Sequence, residues 1–371
     1  MGKFDGVLLA SDFDNTILNT ERPRRTGCPI PPISQRNVEA LRYFMDNGGR
    51  FAVATGRALP AFRMFAKQVP MNAPAVVCNG GALYDFKTER YLETMELPET
   101  IRPQGQDVLD RFPTAAVEAY HMDNVIHAVR PNEYTRQHEH VTHAGVQPVP
   151  TLLEVPMPLI KIMFEDDHEH LLALRDYVSR QPWSADYEVF FSDRTLLEVT
   201  RKGASKGAMV ARLAKRLGIS MDHIYCAGDE NNDLSMLTMA AEGFAPANCV
   251  ETVRSCGATI VADCDHDTLA EIVSILDKRC KASLKICLHS LQHSTSGLLL
   301  ASYLGKSIQL LTLDLKHRFQ VQNCSDCCCC RSNPSAFLKV FQSFQSNIDT
   351  GIQLLLFQNL FDLCRISAHI S

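Results

Sequence analysis

The sequence predicts an α/β protein, a doubly wound parallel-sheet core interrupted by an inserted α+β domain. Three observations carry that prediction. Short apolar runs alternate with helical stretches from Val7 to Gly81, and the alternation resumes at Leu196. Between them, strand-like runs are separated by longer polar passages. The chain of 371 residues also exceeds the roughly 250–300 at which one core stops growing, so more than one domain is expected.

Val7–Ala10 reads as the first strand and ends at Asp12-Phe13-Asp14-Asn15-Thr16. A polar, Pro-rich passage, Glu21 to Pro32, precedes a helix signal: Ser34 as N-cap, Val38, Leu41 and Phe44 or Met45 on one face, and Gly48 or Gly49 as the stop. A second strand, Arg50–Ala54, ends in Thr55-Gly56-Arg57 and leads into a helical stretch at Ala61–Val69. The third apolar run, Ala75–Cys78, closes with Asn79-Gly80-Gly81. Short links between strands and helices predict a parallel sheet covered on both faces.

The inserted domain is placed at residues 83–195, with strands at Val125–Val129, Leu159–Phe164 and Glu188–Phe191. Its clearest helix is His168 to Ser179, with Leu171, Leu174 and Val178 on the buried side. The core then resumes over residues 196–279. Leu196–Val199 is expected as its returning strand, followed by a Ser205-capped helix carrying Met209, Leu213 and Leu217 and stopping at Gly218. A strand at Ile224–Ala227, a short helix near Asp233, a strand at Phe244–Ala247 and a helix from Asp267 to Lys278 complete it. Residues 280–371 contain no Glu and are rich in Leu, Ser, Gln and Cys without a sustained period. That extension lies outside the α/β pattern and reads as foreign to the ancestral coding frame, with a disordered or weakly helical extension as the alternative.

A net charge of −5 with interspersed signs leaves no basic footprint for nucleic acid and no polybasic patch for an anionic membrane. No run of 18 or more uninterrupted apolar residues stands out as a membrane span. Met1-Gly2 lacks the Ser or Thr that a myristoylation signal wants, since Gly6 stands there. Of 14 cysteines, six are scattered through the first 279 residues, which suits free thiols in a reducing cytosol. A cytoplasmic location is therefore expected.

Residues two apart on an extended chain point the same way, so Asp12 and Asp14 project together while Phe13 turns into the core. Ligands of open α/β sheets bind at the carboxyl ends of the strands, where two acids can divide nucleophilic and proton-transfer work. A lone Asp-x-Asp is more often a turn than a site, so its companions decide the matter. Thr55 offers a hydroxyl and amides after the second strand. Lys206 sits at a helix start, against the helix dipole, which suggests an anion nearby. Asp229, in Gly228-Asp229-Glu230-Asn231-Asn232-Asp233, follows Ile224–Ala227 and falls beside the expected position of Asp12. Asp12, Asp229 and a backbone carbonyl form a hard-oxygen set suited to Mg2+, which would let one anion attack another.

These motifs, together with Thr55-Gly56-Arg57, Asn79-Gly80 and Lys202-Gly203-Ala204-Ser205-Lys206-Gly207, resemble the haloacid dehalogenase superfamily in its Cof-type branch. The resemblance spans residues 7 to 278 and implies a Rossmann-like core with the insertion as a cap that sets specificity. It implies Asp12 as the nucleophile that forms an aspartyl-phosphate and Asp14 as general acid/base, its carbonyl also a metal ligand. Thr55 and Lys206 would hold the transferring phosphoryl group, with Thr16, Gly56, Arg57, Asn79 and Asn232 completing the phosphate and substrate contacts. Asp229 would bind Mg2+ and Asp233 support the metal site or Lys206. Asn15 stands where the family usually has Gly, and Asn tolerates the positive φ such a loop needs.

The expected activity is hydrolysis of a small phosphorylated metabolite, with a sugar phosphate favoured. A phosphomannomutase-like phosphomutase is the enzymatic alternative, and a non-catalytic phosphometabolite-binding module the alternative of another class. The cap histidines, including His138-Glu139-His140-Val141-Thr142-His143, lack metalloprotease spacing and read as polar surface. Cys324 to Cys330 reads as low complexity rather than half a zinc site. Arg130 and Arg201 are candidate anion contacts or solvated residues in equal measure.

Overall fold

The strand Leu8–Ser11, buried along its whole length, lies inside a five-stranded parallel sheet. A computed structural model of the chain describes residues 2–122 and 124–293. The sheet order is Thr259–Val261, Glu242–Pro246, Ile224–Ala227, Leu8–Ser11, Arg50–Val53. Register pairs Ser11 with both Ala227 and Val53, so three strands end at one level. Leu8 and Ala10 pack with Met209, Val210 and Leu213 of the helix Lys206–Leu217. Leu9 and Phe51 are fully buried on the opposite face. The helix Gln35–Asp46 starts where expected, with Ser34 Oγ accepting from Asn37 N at 3.1 Å.

Two expected parallel strands go elsewhere. Ala75–Val77 pairs antiparallel with Ala82–Asp85, which pairs with Arg90–Thr94, and the group meets the parallel sheet through an Ala54–Val76 bridge. The reason is the turn at Cys78–Gly80, where φ values of 53°, 54° and 92° reverse the chain at once. A Cβ on Gly80 would stand 2.1 Å from the Ser205 carbonyl oxygen, so only glycine fits there.

Leu196–Arg201, expected as the strand returning to the core, pairs antiparallel with Tyr187–Asp193 and Leu159–Glu165 instead. Only Arg194 and Thr195 separate it from the preceding strand, too short a link for a parallel crossover. It belongs to a six-stranded sheet ordered Tyr187–Asp193, Leu196–Arg201, Leu159–Glu165, Ala116–His121, Ile126–Val129, Val146–Val149.

Strand alternation gives this second sheet two unlike faces. Val117, Ala119, Ile162, Phe164, Leu197 and Val199 pack into one core with Val108 of the helix Ile101–Arg111 and Leu171, Leu174 and Val178 of the helix His168–Ser179. The intervening residues Glu118, Lys161, Glu165 and Glu198 are also buried, each at most 3% exposed. Residues 1–278 form one compact unit. The last described helix, Thr268–His293, continues past Lys278, and its sequence contains no Gly or Pro to stop it. The cysteine run 324–330 and everything from residue 294 onward lie outside the described residues.

Candidate active site

Asp12 follows directly on the central strand, and its amide donates to the Ala227 carbonyl at 2.8 Å, which ties it to the loop carrying Asp229. Phe13 turns inward against Phe62 and Phe65, with ring centroids 5.3 and 5.0 Å away. Asp12 and Asp14 both line a cavity of about 250 Å3 that the six-stranded sheet closes from the other side. The two-residue spacing thus does what extended geometry requires.

Lys206, 1% exposed, donates to Asp12 Oδ1 at 2.6 Å and Asp233 Oδ1 at 2.7 Å. These are the anions that a lysine at a helix N-terminus calls for. The cation is held charged well above its ordinary range: burial opposes this, and Asp12 and Asp233 outweigh burial. Asp233 Oδ2 accepts from the amides of Asp229 and Glu230 at 2.9 and 3.0 Å. Its carboxylate is fully employed in bracing Lys206 and the loop. A Cβ on Gly228 would come within 2.4 Å of Asp233 Cγ, so glycine lets the brace close.

Asp229 Oδ1 accepts from the Thr16 hydroxyl at 2.9 Å. Thr16 therefore orients Asp229 rather than lining the cavity. One oxygen each of Asp12 and Asp229 stays without a protein partner among the described residues. Asp12, Asp229 and Asp233 each bring an oxygen within 4.8 Å of the others. Burial, together with neighbouring Asp233 and Asp14, pushes Asp12 up to about 7 despite Lys206. Burial, Asp12 and Asp233 lift Asp229 well above the carboxylate range. So crowded a set of acids beside a single lysine fits a divalent cation held by Asp12 and Asp229, with Asp233 behind them.

Asp14 faces a different partner. Arg57 Nε and Nη2 donate to its two oxygens at 2.8 and 2.7 Å, and Thr20 Oγ1 donates at 2.7 Å. Desolvation works against the carboxylate, yet Arg57 and Thr20 hold Asp14 below its usual range. Asn15 adopts φ 54°, and its side-chain oxygen accepts from the amides of Thr20 and Glu21 at 3.1 and 2.9 Å. Asparagine thus supplies the backbone freedom and an additional loop clasp.

Thr55 is fully buried beside the cavity, its hydroxyl accepting from Arg57 N at 3.1 Å. Gly56 lines the cavity. Asn232 donates to Asn79 Oδ1 at 2.9 Å, and Asn79 donates to Glu198 Oε2 at 3.0 Å. Glu198 in turn pairs with Lys161 at 3.0 Å, and Lys161 Nζ reaches the Gly56 carbonyl at 3.5 Å. This chain joins both sides of the cavity.

Sequence reasoning missed Lys161 and Glu198, and it missed the ion pair of Arg24 with Asp193 at the cavity wall. The strand alternation in Leu159–Phe164 was the one available signal for Lys161. Arg130 instead pairs with Asp110 at 2.9 Å, and Arg201 donates to the Glu96 carbonyl at 3.2 Å. Neither lines the cavity. His138 is not polar surface: it also lines the cavity, with Nδ1 3.0 Å from Glu118 Oε2. Burial opposes ionisation of Glu118, but His138, Tyr120 and Lys161 hold it below the usual range. Burial and the charge of Glu118 push Glu165 up to about 9.

A family model described as haloacid dehalogenase-like hydrolase matches residues 9–273, and the chain belongs to that family. Pyridoxal phosphate phosphatase YbhA of Escherichia coli K12 is 24% identical over 273 residues, covering 72% of this chain and 97% of that protein. 5-Amino-6-(5-phospho-D-ribitylamino)uracil phosphatase YitU of Bacillus subtilis is 22% identical, covering 72% and 96%. Among solved structures, a haloacid dehalogenase-like hydrolase from Bacteroides thetaiotaomicron superposes with TM-score 0.62 at 22% identity, covering 73% of this chain and 99% of that one. The subclass IIB sugar phosphatase BT4131 gives TM-score 0.60 at 20% identity, covering 73% and 99%. These likenesses agree with the α/β core and cap. No described helix is long and apolar enough to cross a membrane.

Proposed function

We propose that the chain is a Mg2+-dependent phosphatase that hydrolyses a small phosphorylated metabolite through an aspartyl-phosphate on Asp12. The observation that carries this is the division of labour between two acids on one cavity: Asp12 braced by Lys206, and Asp14 clasped separately by Arg57. Asp12 and Asp229, with the Asp14 carbonyl, would hold the cation. When bound, it offsets the negative charge that otherwise opposes attack of a carboxylate on a phosphate ester.

The Asp12 carboxylate attacks phosphorus as the bond from phosphorus to the leaving oxygen breaks, and Asp14 gives that oxygen its proton. Asp14 then takes a proton from water, whose oxygen attacks the aspartyl-phosphate, releasing inorganic phosphate and regenerating Asp12. Lys206 neutralises Asp12 before attack and the phosphoryl oxygens afterwards. Thr55, Asn79 and Asn232 shape the phosphate loop. A phosphate ester entering the cavity competes with Asp14 for Arg57, and Asp14, released from that cation and set beside a second anion, takes up from solvent the proton that it then gives to the leaving oxygen.

The core in this reading keeps residues through Thr94 and from Lys202 to Lys278, with the cap between them and the extension outside both. YbhA and YitU are named for small phosphorylated substrates, and a cavity of about 250 Å3 suits such a molecule. A sugar phosphate is the preferred class, acted on in the cytoplasm. Asp12→Asn in the full chain is expected to abolish phosphate release from an aryl phosphate with Mg2+ present, and retained turnover would overturn the mechanism. Formation of an isomeric hexose phosphate in place of free phosphate would instead identify a phosphomutase.

A further inference from the structure

The cap wall of the cavity contains several polar side chains whose hydrogen-bonding capacity is already spent. Tyr120 donates its hydroxyl to Glu118 Oε2 at 2.5 Å. The Lys161 ammonium is taken up by Glu198 at 3.0 Å, the Gly56 carbonyl at 3.5 Å and the face of Tyr120, 4.5 Å from its centroid. Besides Ser192 Oγ, which is buried on the same wall without a hydrogen-bond partner among the described residues, two atoms are left over. Glu198 accepts both Lys161 and Asn79 on Oε2, so Oε1 has no partner among the described residues. His138 directs Nδ1 to Glu118 at 3.0 Å and toward Glu165 at 3.7 Å, so Nε2 has none either. Both side chains line the cavity opposite Asp12 and Asp14.

The chemistry of these two atoms is selective. Glu198 Oε1 only accepts, so it suits a hydroxyl and repels a second anionic group on the substrate. Nε2 of His138 accepts when the ring is neutral and donates when it is protonated, and a hydroxyl answers both forms because it donates and accepts. An alkyl chain would leave both atoms desolvated and unpaired. His138 is itself fixed: Glu118 holds one ring nitrogen, and Thr135, on the same helix, donates to Glu165 at 2.5 Å. The ring orientation is therefore built in before substrate arrives.

We infer that His138 and Glu198 bind hydroxyl groups on the leaving half of the substrate, which makes this cavity specific for monophosphate esters of uncharged polyhydroxylated alcohols. This rests on the phosphatase reading and narrows it: purely alkyl and doubly anionic esters are selected against by the cap.

The test uses the full chain and three matched pairs of esters: ribitol 5-phosphate with pentyl phosphate, glucose 6-phosphate with hexyl phosphate, and glycerol 1-phosphate with propyl phosphate. In the wild type the polyol member of at least one pair is expected to have the higher kcat/KM, by about tenfold, chiefly through KM. His138→Leu, which refills the volume, should collapse that ratio. His138→Gln, whose amide both donates and accepts, should keep part of it. Arg130→Ala, outside the cavity, serves as the control and should keep it all. A merely structural His138 would lower both members equally and leave the ratio intact, which overturns the inference, as does a wild type with no preference in any pair. Calorimetric binding of the same pairs reads the preference without turnover. Failure of hydrolysis is thereby told apart from failure of hydroxyl recognition.

Discussion

Replacing Lys206 with Met keeps the aliphatic stem and removes the one ammonium that Asp12 and Asp233 share. Those contacts are 2.6 and 2.7 Å long, and all three side chains are at most 7% exposed. Breaking a buried pair by deleting one partner costs about 3–5 kcal/mol, because the remaining charge is stranded away from water. Asp233 keeps two amide donors, which places the expected cost toward the lower half of that range. At about 2–4 °C per kcal/mol for a domain of this order of size, melting should fall by roughly 6–15 °C at pH 8 in EDTA.

The pH dependence of that deficit follows from the same charges. Stranded buried carboxylates have folded pKa values above their unfolded ones, so protonation favours the fold; the stability they allow is present at low pH and lost as pH rises. The deficit of Lys206→Met relative to wild type should therefore be largest at pH 8 and shrink toward pH 5. Thermal melts by circular dichroism at both pH values check it. A change under 2 °C at pH 8, or a deficit that grows on acidification, would refute the claim that Lys206 neutralises buried acids.

Other outcomes follow from the same geometry. Arg57→Met should let the Asp14 carboxyl rise, because its clasping cation is gone, and the limb of the kcat–pH profile due to Asp14 should move to higher pH; an unmoved limb contradicts this. Glu165, pushed up to about 9 in the fold, adds stability that is full below about 4.5 and fades as pH climbs through 9. Glu165→Gln should accordingly melt progressively higher than wild type as pH goes from 5 to 9, and parallel melting curves would count against a protonated Glu165. Asn15→Ala places a Cβ without a polar tip at φ 54° and leaves the amides of Thr20 and Glu21 without their acceptor. A loss of about 1–2 kcal/mol is expected from the left-handed conformation alone, measured by denaturant titration, while Asn15→Gly should lose less.

Legibility of the sequence varied with the range of the interactions. The strand-end motifs at Asp12, Thr55 and Asp229 could be read because each depends on a local event: an apolar run that stops at a polar loop. Even Lys206 announced its partners through its awkward place on the helix. The two misassigned strands were harder, since an apolar run does not say which sheet it joins. In both cases the deciding feature was a short reversal, Cys78–Gly80 and Arg194–Thr195, which forces antiparallel pairing. The strand Ala116–His121 was missed because Glu118, on the face opposite Val117 and Ala119, breaks the apolar run, and such a residue looks like solvent-facing polarity until its partners are known.

The sequence by itself determined the family, the parallel core and the two acids at the end of its first strand, because these follow from local patterning and from motif order. Only the tertiary structure decided which side chains look down on those acids. Lys161 and Glu198 come from two strands and His138 from a helix, with Glu118 of a third strand behind His138, and their convergence depends on the order of strands in the second sheet, which is set by long-range pairing. Burial then turns them from apparent surface polarity into a fixed hydrogen-bonding wall.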